Sequence, residues 1–117
     1  FGAPRDITVS PTYVPDLVHA CLDLLVDKEC GIWHLTNGEP VTWAEFALKA
    51  AERGGVDASR LEPLSNEQCR FTAARPAFSA LHSERAMLLP PLDDAISRYL
   101  MQAEGDVRSA QPSRSFI

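Results

Sequence analysis

The sequence predicts an α/β domain of three helices and about three short, partly parallel strands. Three observations carry that prediction. Apolar residues recur at helical spacing over 14–25, 41–53 and 92–100. Short β-prone runs lie before and between them, giving the order strand–helix–strand–helix–strand. The run 31–35, Gly31-Ile32-Trp33-His34-Leu35, is apolar on both faces, as strands inside a helix-covered parallel sheet are.

Residues 1–6 read as a loop. Ile7, Thr8 and Val9 favour a strand that stops at Ser10-Pro11, since proline restricts the residue before it. The first helix is expected from about Pro15 to Val26. Pro15 suits the first helical position, and Asp16 meets the positive end of the helix dipole. Val14, Leu17, Val18, Cys21, Leu22 and Leu25 form its apolar stripe.

The run 31–35 is expected as a strand ending at the turn pair Asn37-Gly38. Thr42 and Glu45 then have the spacing of a capping box, with Val41 and Phe46 as a hydrophobic staple. This second helix runs to about Arg53 and ends at Gly54-Gly55, where a residue can take positive φ. Residues 61–64 read as an edge strand because Pro63 cannot donate to a ladder. A helical turn is expected over 66–69, an extended loop over 71–81 and a brief helix over 83–87. A third helix is expected over 92–103, with Leu92, Ala95, Ile96, Tyr99 and Leu100 on one face. The domain is placed at 1–104. Residues 105–117, rich in Ser, Arg, Gln and Pro, are expected to be a disordered tail or linker.

Bulk properties narrow the function. The chain has 117 residues and a formal net charge of −5, with no basic cluster. Nucleic acid and anionic membrane are therefore poor partners, because both require a Lys/Arg footprint. Three cysteines without a Cys-x-x-Cys pair point to reduced thiols and the cytoplasm. Cys21 is expected to pack as a small apolar residue.

Catalytic chemistry is hard to find. No glycine spacing fits a dinucleotide turn, so no cofactor is expected on this chain. The three histidines make no metal pattern, and no Gly-x-Ser-x-Gly elbow supports a hydrolase. His34 is expected as a hydrogen-bonded core residue, Asp16 as a dipole or capping residue, and Asp93-Asp94 as helix-opening acids. Trp33 and Trp43 fit either packing or stacking on a sugar or base, and packing is the plainer reading. Arg75, beside Pro76 in a loop with few charges, fits two roles: a bidentate clamp on a diphosphate, or a surface partner for a carboxylate.

Four ordered segments resemble one family. They are Ser10-Pro11-Thr12-Tyr13-Val14-Pro15-Asp16-Leu17, Gly31-Ile32-Trp33-His34-Leu35, Thr42-Trp43-Ala44-Glu45-Phe46-Ala47, and Arg75-Pro76 with Ser79 and Leu81. Together they resemble the C-terminal, substrate-binding portion of the dTDP-4-dehydrorhamnose reductases, within the extended short-chain dehydrogenase/reductases. The resemblance covers residues 8–103. It implies a fragment of a Rossmann-type reductase that grasps a nucleotide-linked 4-keto sugar, with Arg75 and Ser79 as substrate contacts. NAD(P)H would belong to a full-length parent, whose Tyr-x-x-x-Lys pair has no counterpart here: Leu17 follows Tyr13 and Ala103 follows Tyr99 at that spacing. The chain alone is therefore expected to lack catalytic competence, and no catalytic residue is assigned. Phe78 departs from the family's Asn before the serine, which points to a related nucleotide-sugar or a degenerate site. The expected partners are a nucleotide-sugar and the missing Rossmann portion, or self-association through the strand 31–35. A non-enzymatic module that pairs an exposed sheet edge with a partner is the alternative.

Overall fold

A computed structural model describes residues 1–109, with side chains through Gly105. The elements in order are β1 (Gly2–Pro4), β2 (Thr8–Val9), α1 (Val14–Val26), β3 (Val41–Thr42), α2 (Trp43–Arg53), β4 (Glu62–Leu64) and α3 (Leu92–Ser109).

The strands form two small ladders. β1 runs parallel to β4, with Gly2 opposite Glu62 and Pro4 opposite Leu64. β2 runs antiparallel to β3, with Thr8 opposite Thr42 and Val9 opposite Val41. On its other side β2 takes up the loop 77–79: the Thr8 N–H donates to the Ala77 carbonyl at 2.8 Å, and the Ser79 N–H donates to the Thr8 carbonyl at 2.9 Å. β1 corrects the loop expected over 1–6. Gly, Ala and Pro have little strand preference, and a ladder with residues some 60 positions away supplies the order instead.

The core is small and lies between α2 and α3. Val41, Leu92 and Ile96 are buried, with Phe46, Ala50 and Leu100 packed against them. The Asp93 carboxylate ties the two helices together by accepting from Lys49 at 3.1 Å and Arg53 at 3.0 Å. α2 starts as its sequence dictates. The Thr42 hydroxyl accepts from the Glu45 N–H at 3.2 Å, and the Glu45 carboxylate accepts from the Thr42 N–H at 2.8 Å. Gly55, at φ +62°, follows its end.

Six expectations are corrected. The run 31–35 pairs with no strand among the described residues, and Ile32 is 81% exposed. Strand formation needs a ladder partner, and none of the described strands supplies one. The stripe on α1 is not a core face: Val14, Val18, Leu22 and Leu25 are exposed, while Asp16 and Ala20 are its buried residues. Cys21 is exposed as well. His34 is exposed, its Nδ1 lying 3.2 Å from the His82 carbonyl. Residues 83–87 form bends without a helix. α3 continues past the expected end at Ala103 to Ser109, and residues 110–117, part of the expected tail or linker, lie outside the described residues. No helix among the described residues is long and apolar enough to cross a membrane.

Candidate functional site

A cleft of about 840 Å³ opens beside β1, β2 and the start of α2. Its wall is mostly apolar. Among the side chains that line it, Trp43, Gln68, Cys69, Arg75 and Ser79 carry polar atoms. Concave, largely apolar clefts with a few convergent polar groups are the usual form of a small-ligand site.

The loop 71–81 delivers two of those groups and is fastened along its length. The Arg75 carbonyl accepts from Asn66 Nδ2 at 3.1 Å. Ser79 is held to β2 through its N–H, and its hydroxyl lies 3.4 Å from the same Thr8 carbonyl. Ser10 Oγ accepts from the Leu81 N–H at 2.9 Å and donates to the Leu81 carbonyl at 3.2 Å. The two residues singled out from the sequence, Arg75 and Ser79, therefore stand on one wall. The Arg75 guanidinium lies 5.5 Å from the centre of the Phe71 ring, and no carboxylate among the described residues pairs with it.

The two tryptophans separate. Trp43, the first residue of α2, is 42% exposed and lines the cleft. Trp33 lies elsewhere, with the Arg85 guanidinium 3.8 Å from its ring centre. Arg85 also donates to the Cys30 carbonyl at 2.8 Å, so it covers Trp33 while fixing the chain beside it.

A second cluster, which the sequence does not reveal, centres on Asp16. Arg98 donates to both of its carboxylate oxygens at 2.7 Å. Asn37 Nδ2 donates to Asp16 and to the Pro90 carbonyl, each at 2.8 Å, and Asn37 Oδ1 accepts from the Tyr13 N–H at 2.7 Å. Asn37 is the most fully buried large side chain described. The Arg98 bonds hold the Asp16 carboxyl below the usual carboxylate range, against the opposing effect of burial and with help from Asn37. This cluster joins the starts of α1 and α3 to the turn at 37, and it lines neither wall of the cleft. Asn37 reads as a turn residue because Gly38, at φ +99°, follows it; its amide is used at long range.

The helix starts do not fit a dinucleotide cofactor. Pyrophosphate needs free N–H groups after a glycine-rich turn. Here α1 opens on Tyr13-Val14-Pro15, α2 has the Thr42 and Glu45 N–H groups engaged by its own capping box and the Trp43 N–H donated to the Ile7 carbonyl, and α3 follows Pro90-Pro91.

A family model described as the RmlD substrate binding domain matches residues 4–99. The chain belongs to that family. The spore coat polysaccharide biosynthesis protein SpsK of Bacillus subtilis (strain 168) is 37% identical over 78 residues, covering 67% of this chain and 26% of that protein. A dTDP-4-dehydrorhamnose reductase of Mycolicibacterium smegmatis is 34% identical over 88 residues, covering 73% and 27%. A dTDP-4-dehydrorhamnose reductase from Bacillus anthracis, solved in complex with NADP, matches with a TM-score of 0.79 and 25% identity over 87% of this chain and 38% of that one. The Clostridium acetobutylicum ortholog, at a TM-score of 0.81 and 21% identity over 89% and 39%, shares the fold. This RmlD substrate binding domain thus spans about a quarter of the curated relatives. Its three helices and short strands form part of a Rossmann-like reductase fold.

Proposed function

We propose that this domain forms the substrate wall of an NAD(P)H-dependent reductase that acts on a nucleotide-linked 4-keto sugar. The convergence of Arg75 and Ser79 on one apolar cleft carries the reading. A guanidinium presents two parallel N–H donors to a diphosphate, and a mostly apolar wall strengthens that contact by thinning the water around it. The Ser79 hydroxyl would offer a short-reach hydrogen bond to the sugar-phosphate end. Hydride delivery and proton donation belong to the portion of the relatives that this chain does not span. The domain alone binds and orients; it does not reduce. Cytoplasm is the compartment that fits such a substrate and the unpaired cysteines.

Isothermal titration of the chain with dTDP and with dTDP-rhamnose tests the reading. Saturable heat is expected with both and none with free rhamnose. Absence of heat at millimolar nucleotide would overturn it.

One observation favours a second reading, an interaction module. The exposed stripe Val14, Val18, Leu22 and Leu25 on α1 lies in the same chain as the unpaired apolar run 31–35. Those surfaces could seat the reductase's Rossmann portion or a second copy. Sedimentation over a concentration series separates the cases: a tight dimer indifferent to nucleotide supports the module, and a monomer that binds nucleotide supports the reductase wall.

A further inference from the structure

Arg75 rides on a stretch of chain that little else holds. Among the described residues, a single hydrogen bond reaches 71–76: Asn66 Nδ2 donates to the Arg75 carbonyl at 3.1 Å. The bonds to β2 begin only at Ala77, whose carbonyl accepts from the Thr8 N–H at 2.8 Å. Pro76 biases Arg75 towards extended backbone, but it leaves the residues before Arg75 unconstrained. A carbonyl can be met only by the nitrogen of an amide, so the orientation of the Asn66 side chain is set.

Asn66 is itself held from a distant part of the chain. Its N–H donates to Asp6 Oδ1 at 2.8 Å. The register of the parallel ladder brings the two together. β1 and β4 pair Gly2 with Glu62 and Pro4 with Leu64, and the Arg5 N–H adds a bond to the Leu64 carbonyl at 2.8 Å. Two residues beyond Pro4 and Leu64 stand Asp6 and Asn66. The ladder that orders the start of the chain therefore ends in a tie to the Arg75 backbone.

We infer that Asn66, aligned by Asp6, is a positioning residue that sets where Arg75 presents its guanidinium to a diphosphate. This role rests on reading the cleft as a nucleotide-sugar site with Arg75 on the diphosphate. A bidentate contact needs both N–H donors within reach of the phosphate oxygens at once. Without the tie, the stretch 71–76 would be ordered only when ligand binds, and the cost of that ordering is subtracted from affinity. The Asn66 bond makes the ordering part of folding instead. Neither Asp6 nor Asn66 lines the cleft, so both act through Arg75.

Calorimetric titration of the full chain with dTDP and with inorganic pyrophosphate tests the role, with a melting curve for each variant. Asn66→Ala should bind both ligands about fivefold more weakly than the wild type, the weight of one net hydrogen bond. In an Arg75→Ala background the same substitution should change dTDP affinity by less than about twofold, because the group it positions is gone. A merely structural role would weaken both backgrounds equally. Asp6→Asn and Asp6→Ala both remove the charge, and only Asp6→Asn keeps an oxygen for the Asn66 N–H. Asp6→Ala should therefore bind dTDP about threefold more weakly than Asp6→Asn. Undiminished affinity in folded Asn66→Ala, or an equal loss with and without Arg75, overturns the role and leaves Arg75 on the diphosphate. Equal affinity in the two Asp6 variants overturns the alignment by Asp6, and it overturns the whole role if Asn66→Ala does not fold. Wild-type affinity in Arg75→Ala, or failure of the wild type to bind either ligand, overturns the reading of the cleft and the role with it.

Discussion

Arg98 closes on both carboxylate oxygens of Asp16 at 2.7 Å, joining helices whose residues stand 82 positions apart. Asp16 is 7% exposed, and Arg98 also holds Asp94 one turn before it on α3 at 2.8 Å. The pair ties the first turn of α1 to α3. Asp16→Asn should destabilise by about 2 kcal/mol, because the guanidinium loses its charged partner while its own partial exposure limits the cost. Urea denaturation measures it; an unchanged midpoint would make the pair ornamental.

The same pair sets an acid limit. The Asp16 carboxyl titrates below its ordinary range in the folded chain, so the unfolded chain binds the proton first as pH falls. Its contribution is present above the ordinary carboxylate pKa of about 4 and is lost as pH drops below that towards the lowered native value. Unfolding free energy should fall from about pH 5 to pH 3, with a shallower slope in Asp16→Asn. Identical slopes in the two proteins would assign the acid sensitivity elsewhere.

Asn37 is 1% exposed and makes its three bonds with nothing to spare. Asn37→Asp keeps the shape but turns a donor into an acceptor facing Asp16 and the Pro90 carbonyl. A loss of about 3 kcal/mol is expected, more than for Asn37→Ala, since a charge repelled by its neighbour is added to lost bonds. Comparing the two melting curves tests the order.

Thr42→Ala removes the side-chain half of the box that starts α2. It should cost about 1 kcal/mol, a fall of about 4 °C in Tm. No change in melting would mean that packing by Val41 and Phe46, rather than the cap, defines that start.

Arg75→Ala should leave the fold intact, because the side chain is exposed and the Asn66 bond goes to its backbone carbonyl. Affinity for dTDP should fall at least tenfold, or about 1.4 kcal/mol. Calorimetry and a melting curve together separate lost binding from lost structure.

The local elements were written in the residues themselves. Thr42 with Glu45, Pro15 before Asp16, Gly38 and Gly55 at positive φ, and the Leu92–Ile96 face each depend on neighbours within a turn or two, and spacing alone determines them. The loop carrying Arg75 and Ser79 was legible as well, through its motif. Tertiary structure decided the rest. It gave Gly2–Pro4 a ladder, left 31–35 without one, turned the stripe of α1 outward and Asp16 inward, and covered Trp33 while leaving Trp43 in the cleft. Each of these depends on which distant segment comes alongside, and periodicity records only that a face is apolar, not what covers it. Gln68 stood between the two: the sequence marked a helical turn over 66–69, and only the fold brought that turn to the cleft.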